Sequence, residues 1–296
     1  MKKLLFILLS VFTLSAANAR TVDVTAAYTG ASHFDQVEAE ATAALSLNAL
    51  AGVKAKYVKD KHVEPEGFKN PIYSVYLPVH LDFELLQINL TPFYYFKNKS
   101  ENNPYQDASA FGLKTLFVMN LQDDTVNDLY TNAFIGASFA RQKGTAFFDE
   151  GDVSDQYYSQ AAYTLGFYKD FFRSFGFQAS ATAFHYPDGV SDVAAFRGVL
   201  NQQDLAEAQT LDVTRELGKY TLNARLTRMW PDNASTIYLG YAFGEYHTAD
   251  PQHSFMVGNS FVLAQRISVD MAYNHIRTVH NENKRDIFYV RLGMSF

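Results

Sequence analysis

The triplet His80-x-Asp82-x-Glu84 places an imidazole and two carboxylates on one face of a predicted strand. These groups could bind a divalent cation or take part in proton transfer. Side chains two residues apart on a strand lie about 6.5 to 7 Å apart, so a metal ion would need further ligands from neighbouring strands. The spacing favours a solvated polar lining, and we predict no metal site, no catalytic residue and no cofactor.

A second acidic group consists of Asp149, Glu150, Asp152 and Asp155. Carboxylates at this density could hold calcium, but the D-x-D-x-D-G spacing of an EF-hand loop is absent. We therefore predict a solvated loop here, with calcium binding as the alternative.

The elements that must position these residues are strands, because apolar and polar residues alternate along most of the chain. Alternating segments of roughly 10 to 15 residues are separated by short turns and by longer polar loops, a pattern typical of transmembrane barrels. The clearest segment, Ile72 to Leu85, sets a continuous apolar row against a row that includes Ser74, His80 and Asp82. We predict an all-β fold, a transmembrane antiparallel up-and-down β-barrel.

If the apolar rows face lipid, the alternate rows face the lumen. A barrel of this size encloses an interior too wide for side chains alone to fill, so a wet lumen is expected. Charges of both signs belong to its lining. The predicted pore-lining residues are Glu38, Glu40, Lys54, Lys56, His80, Asp82, Glu84, Lys114, Arg225, Asp270 and Arg291.

The strand count follows from parity, because both ends of a bacterial barrel chain normally lie in the periplasm and the count is then even. The alternation predicts strands at Asp204 to Glu216 and at Tyr220 to Met229. A further short strand from Ala194 to Asn201, turning at Gln202-Gln203, restores parity and gives 16 strands. The alternative is 14 strands, with that stretch and its successor forming one long external loop.

The N-terminal residues have the pattern of an export signal. Two lysines precede an apolar run from Leu4 to Leu14, and a small-x-small cleavage site follows at Ala17 and Ala19. The run is shorter than the roughly 20 residues that a spanning helix needs. We predict a cleaved signal peptide over residues 1–19 and a single barrel domain over residues 20–296.

The last strand ends on an aromatic residue and has a continuous apolar face. That face consists of Phe288, Val290, Leu292, Met294 and Phe296. It resembles the terminal strand of Gram-negative outer-membrane β-barrels, whose final aromatic is the signal that the barrel-assembly machinery recognises. The resemblance implies an outer-membrane location after export. It also implies the assembly machinery, outer-membrane lipid and lipopolysaccharide as partners.

A second resemblance covers the stretches from Leu211 to Arg225 and from Ser235 to His247. These hairpins resemble the YaiO-type outer-membrane barrels and the barrel portions of polysaccharide exporters. The resemblance implies a non-conducting barrel that serves as a scaffold or partner in envelope assembly or surface polysaccharide export. It carries over no functional residue, because its motifs are general hairpins.

The amino-acid composition argues against several other classes of protein and site. The chain of 296 residues has no cysteine, which excludes disulfides, thiolate metal sites and lipid attachment through an N-terminal cysteine. Its formal net charge of -6 argues against nucleic acid as a partner. A mean hydropathy of -0.16 is too polar for a helical membrane bundle, although 15% of the residues are aromatic.

The leading hypothesis is a passive, porin-like channel for small hydrophilic solutes, with selectivity set by the lumen charges. The scaffold is the first alternative. The second is an outer-membrane hydrolase with His185, Asp188, His247 and His275 at the outer rim. We predict no enzyme, since the chain lacks a convincing set of nucleophile and base. A monomer is preferred to a trimer, because the candidate inward-folded loop, Gln142 to Asp155, is of modest length. The acidic residues of this loop could also be bridged by divalent ions to lipopolysaccharide.

Overall fold

The computed structural model describes residues 21–60, 71–98, 105–124, 129–147, 153–171, 174–190, 199–207, 210–230, 235–263, 266–279 and 284–296. This part of the chain contains fifteen β-strands and one short 3-10 helix. The predicted signal peptide lies outside the described residues. Within these ranges, no helix is long and apolar enough to cross a membrane.

The strands form where apolar and polar residues alternate, because successive side chains of a strand point to opposite faces of the sheet. Their bounds are β1 Val22–Ala31, β2 Phe34–Ser46, β3 Ala49–Asp60, β4 Ile72–Tyr76, β5 Val79–Phe83, β6 Leu86–Asn98, β7 Tyr105–Asp124, β8 Leu129–Phe147, β9 Val153–Phe171, β10 Phe175–His185, β11 Gly218–Met229, β12 Ser235–Tyr246, β13 Gln252–Leu263, β14 Ile267–Thr278 and β15 Lys284–Ser295.

The sheet closes on itself. Strands that are neighbours around the wall pair antiparallel, and β1 pairs with β15 from Asp23 opposite Ser295 to Ala31 opposite Ile287. This pairing leaves the sheet without a free edge, which is the condition for a stable barrel in lipid. The predicted all-β antiparallel barrel is therefore confirmed.

Two short strands share one place in the wall. Both β4 and β5 lie between β3 and β6, and their pairings continue in one register across Leu77 and Pro78. Pro78 has no N–H to donate to the ladder, but its carbonyl accepts from the Gly52 amide at 2.8 Å. The fifteen strands of the described residues thus occupy fourteen positions in the wall.

The predicted count of 16 strands is wrong, and the alternative of 14 is correct. The described residues 205–207 and 210–217 form no strand between β10 and β11, so the predicted strand from Asp204 to Glu216 is wrong. Most of the predicted strand Ala194 to Asn201 lies outside the described residues. Parity still holds, because fourteen strand positions put both chain ends at the same end of the barrel.

The connections differ at the two ends. Short turns such as Leu47-Asn48 and Glu84-Leu85 lie at the end that holds both ends of the barrel chain, here called the turn end. The connections at the opposite end, here called the loop end, include residues 61–71 and 186–217. Longer loops at one end are typical of outer-membrane barrels, in which that end faces outside.

The outer wall carries large apolar side chains in exposed positions. Leu165 is 67% exposed and Phe288 is 60% exposed, and they belong to rows that include Ile135, Leu239 and Phe255. On β15 the apolar face predicted from sequence, from Phe288 to Phe296, lies on this outer side. Exposure of this apolar surface to water would be unfavourable, whereas the acyl chains of a membrane would cover it.

Several inward-facing aromatic rings lie flat against the wall, over glycines of the next strand. The Tyr238 ring covers Gly258 and the Phe134 ring covers Gly166, so closely that a Cβ atom on either glycine would overlap the ring. Glycine at these positions keeps bulky rings close to the wall and out of the centre of the lumen.

Candidate functional site

The connection between β10 and β11 turns back into the barrel. Its described part, residues 199–207 and 210–217, is here called the luminal segment. Side chains from strands around the wall bind it, so the segment crosses the lumen near the loop end. These side chains are Lys56, Tyr76, Tyr95, Lys114, Ser138, Gln160, Ser180, Asn274 and Arg285.

A short turn of 3-10 helix, Gln202–Asp204, organises the segment. Asn201 caps this turn, and its Oδ1 atom accepts from the amide of Gln203 at 3.3 Å and from that of Thr214 at 3.0 Å. The Gln202 amide donates to the Thr214 carbonyl at 2.8 Å. These bonds tie the start of the segment to its end, so it is a compact unit.

Asp204 makes the strongest link between the segment and the wall. The Lys56 ammonium lies 2.8 Å from one of its carboxylate oxygens. The other oxygen accepts from the Tyr76 hydroxyl at 2.6 Å and from the Tyr95 hydroxyl. Hydrogen bonds to a charged group are stronger than bonds between neutral groups, so three donors on one carboxylate hold the segment firmly.

The environment of Asp204 favours its charged form. Burial acts to raise the pKa of this carboxyl, but the Lys56 charge and the three hydrogen bonds outweigh it and hold the pKa below its usual range. Beyond Lys56, Glu38 lies at 4.0 Å and also pairs with Lys54. Charges alternate along this row from the segment to the wall.

A second link lies on the adjacent strands. Lys114 of β7 pairs with Glu207 at 2.7 Å and donates to the Ala206 carbonyl at 3.3 Å. Ser138 of β8 donates to the carbonyl of Leu205 at 2.9 Å. The Leu205 side chain is fully buried, in one apolar cluster with inward rings such as Tyr95. Polar and apolar contacts thus jointly fix the position of this turn of the segment.

The later part of the segment contacts the opposite wall. Asp212 lies 3.1 Å from the His33 imidazole and 3.4 Å from the Arg285 guanidinium. Leu211 and Val213 pack against a buried cluster that contains Phe34. The segment is therefore held on both sides of the lumen.

The structure places ten of the eleven predicted pore-lining residues on inward rows and joins several of them in pairs. Arg291 lies 3.8 Å from Glu40. Arg225 stacks on the Tyr238 ring at 3.9 Å, and the Tyr238 hydroxyl donates to Asp270 at 2.8 Å.

The triplet at residues 80–84 is divided between strand and turn. His80 and Asp82 face inward on β5, where His80 lies 2.5 Å from Asn89, whereas Glu84 lies in the turn after the strand. The expected common face therefore ends at Asp82. Among the described residues, no group of three His, Asp or Glu side chains is placed to hold a metal ion.

The predicted rim residues each have a different environment. His275 pairs with Asp286 at 2.8 Å, and Asp188 accepts from the Ser159 amide at 2.6 Å. The His247 ring contacts Tyr186, and His185 is exposed on the outer row of β10. The structure does not assemble them into a catalytic set. Of the acidic loop, residues 149–152 lie outside the described residues, and Asp155 pairs with Lys143 at 2.6 Å.

Sequence reasoning missed the residues of the luminal segment, notably Asp204, Glu207 and Asp212. The alternation of Leu211 and Val213 indicated a strand, although both side chains pack inside the lumen. The cap residue Asn201 followed by Gln202 and Asp204 was a usable signal, since Asn is favoured at the start of a helical turn.

Comparisons with known proteins support the same architecture. No family model matches the chain, and no curated protein matches it. Among solved structures, the CymD monoaromatic hydrocarbon channel is 9% identical, with a TM-score of 0.54 over 94% of this chain and 89% of that one. CdiB from Acinetobacter baumannii is 6% identical, with a TM-score of 0.51 over 93% of this chain and 60% of that one. The chain shares their barrel fold.

Proposed function

We propose that the protein is a channel of the Gram-negative outer membrane for small hydrophilic solutes, closed at rest by its luminal segment. The observation that carries the proposal is the set of ion pairs and hydrogen bonds that hold the luminal segment across a polar lumen, inside a wall whose outer face is apolar.

The two faces of the wall support the membrane location. Exposed Leu, Phe, Val and Ile side chains form the outer rows, while charged and amide side chains form the inner rows. Alternation of this kind suits strands with lipid on one side and water on the other.

The lumen supports passage of hydrophilic solutes once the segment moves. Fourteen strand positions enclose more space than wall side chains fill, and here the luminal segment occupies that space at the loop end. Because its links to the wall are mostly polar, water and solute hydroxyl groups can replace them. An apolar seal would lack such replacements.

Planar-bilayer recording of the purified full-length barrel tests the proposal. We expect rare or small stepwise currents from the wild type and larger, longer openings from Asp204→Asn, which leaves Lys56 without its carboxylate partner. Asp35→Asn is the matched control, because Asp35 lies on the outer face with the Tyr28 hydroxyl. Swelling of liposomes in neutral sugars of increasing size then measures the solute limit.

The alternative is a non-conducting scaffold for envelope assembly or polysaccharide export. It is favoured by the same segment, which would then close the barrel permanently. Absence of stepwise current from both the wild type and Asp204→Asn, at any voltage, would reject the channel in favour of the scaffold.

A further inference from the structure

A straight trough runs along the outer face of β10. Its floor consists of the outward alanines Ala179, Ala181 and Ala183. Large side chains flank the last two in register, Leu165 and Leu222 beside Ala181, and Tyr163 and Tyr220 beside Ala183. Ala181, Ala183 and their flanking side chains line part of a concavity of about 670 Å³, which continues over Ile135 and Ala137 of β8 to Phe117 of β7.

The trough has the dimensions of one acyl chain. Its two walls stand on β9 and β11, two strand spacings apart, which is about 9.5 Å between backbones. From Ala179 to Ala183 it is about 13 Å long. The part of the concavity over β10 is one strand wide, because Leu165 and Tyr163 stand on one side and Leu222 and Tyr220 on the other. The convex wall of a second barrel is too broad to enter that part, so a flexible chain is the better occupant.

Only one end of the trough is open. At the turn end, Phe177 follows on the same outer row, and its ring contacts the Phe167 ring at 5.9 Å between centroids, which closes the groove. At the loop end the next outward residue is His185, which is exposed. An acyl chain that lies in the trough therefore has its head group at the loop end.

Polar groups and charges of both signs surround the open end. Lys219 pairs with Glu245 at 2.9 Å beside Tyr220, and His185 lies directly above Ala183. Farther along the same rim, Arg141 lies 4.9 Å from the Tyr157 ring centroid, with no carboxylate of the described residues within ion-pair distance. A phosphorylated, hydroxyl-rich head group complements such a rim.

We propose that this trough binds one acyl chain of a lipopolysaccharide molecule, whose phosphorylated glucosamine head lies on the rim between Arg141 and Lys219. The outer leaflet of a Gram-negative outer membrane consists of this lipid, and the trough opens toward that leaflet. The inference rests on the proposed membrane location and is independent of channel activity.

Lipid retention by the full-length barrel tests it. The protein is purified in mild detergent, delipidated, and given purified lipid A or phosphatidylethanolamine, and the lipid bound per barrel is measured by native mass spectrometry. The variant Ala181→Leu/Ala183→Leu fills the trough. Its control is Ala26→Leu/Ala39→Leu, on the outer rows of β1 and β2 across the barrel. Arg141→Gln has its control in Arg228→Gln, an outward arginine over Phe175 near the turn end.

We expect the wild type and both controls to retain lipid A. Filling the trough should weaken lipid A binding at least about tenfold, equivalent to roughly 1.4 kcal/mol, and Arg141→Gln should weaken it less. Equal retention by the filled variant and its control would overturn the site. Preference for phosphatidylethanolamine would overturn the outer-leaflet assignment, and a wild-type dimer that the filled variant loses would identify a second copy as the occupant.

Discussion

The Asp204 carboxylate is the residue on which closure of the lumen depends most. Lys56, its partner, is 4% exposed, so removal of the carboxylate would leave this buried charge with Glu38, at 4.0 Å, as its remaining acidic neighbour. Breaking a buried pair costs about 3 to 5 kcal/mol when the remaining charge has no partner, and Glu38 reduces that cost. The remaining cost is enough to shift the luminal segment from bound to released.

The depressed pKa of Asp204 predicts how closure responds to acid. A carboxylate whose folded pKa is lowered stabilises the structure above its unfolded pKa, and this stabilisation is lost as the pH falls through the folded value. The unfolded pKa of an Asp is about 3.9. We therefore expect conductance to stay low from pH 8 to pH 5 and to rise below about pH 4.

Single-channel recording across that range is the measurement. Asp204→Asn is the control, because its conductance should stay high and nearly constant with pH. A rise in wild-type conductance between pH 7 and pH 5 would show that a group other than Asp204 governs closure.

Gly258 permits the Tyr238 ring to lie flat, and Gly258→Ala should displace it. The displaced ring would lose its bond to Asp270 and its stacking with Arg225. We expect a loss of about 1 to 3 kcal/mol in the free energy of unfolding, measured by urea titration of the folded barrel. In a Tyr238→Ala background the same glycine substitution should lower the free energy of unfolding only slightly. Equal losses in both backgrounds would show that the effect of Gly258→Ala does not depend on the Tyr238 ring.

At the scale of elements, the luminal segment is separable from the wall. Strands β10 and β11 are adjacent and antiparallel, with Ala183 opposite Tyr220, so a short turn could join them. Replacing residues 190–216 by a four-residue Gly-Ser linker should leave the barrel assembled and its lumen open.

Circular dichroism and heat-modifiable gel migration would show whether the barrel of that variant is folded. Bilayer conductance would show whether its pore is open. We expect β-sheet content close to that of the wild type and a conductance above that of Asp204→Asn. An unfolded product would mean that the segment is part of the folding core, through buried residues such as Leu205.

The strands could be predicted because each has one apolar and one polar face. The segment could not, because Leu211 and Val213 are apolar for a different reason: they pack on Phe34 and Ile276 inside the lumen. Alternation indicates that one face of a segment is shielded from water, but it does not indicate whether lipid or the interior of the barrel covers that face.

The candidate site was predictable only in part for a similar reason. Alternation placed Lys56 and Lys114 on the inner face, but their partners Asp204 and Glu207 lie far away in the sequence. No local pattern specifies such pairings, since they depend on how a long connection re-enters the barrel.

At the scale of the whole molecule, the charges of the lumen largely neutralise one another. Lys54 with Glu38 and Arg291 with Glu40 join opposite signs within the wall itself, so these pairs remain when the luminal segment moves. We expect weak ion selectivity, with a cation-to-anion permeability ratio within about threefold of one. Reversal potentials in a salt gradient measure this ratio.

Arg291→Glu should shift that ratio toward cations, because it places a second acid beside Glu40 at the inner wall. Arg277→Glu is the control with the same charge change, since Arg277 lies on the outer row of β14. An unchanged reversal potential in Arg291→Glu would remove Arg291 from the conducting path.

The seam between β1 and β15 imposes an order on assembly. It joins residues from opposite ends of the domain, such as Asp23 and Ser295, and pairings this distant in sequence form late because loop closure costs entropy. The wall partners of Asp204 lie on β3 to β6, so a half-built sheet can already capture that carboxylate. Asp212 bonds to His33, after β1, and to Arg285, at the start of β15, on the two sides of the seam. His33 and Arg285 come close to each other only after β1 has paired with β15. The contacts of the Asp212 carboxylate therefore form last, and they hold the two sides of the seam together.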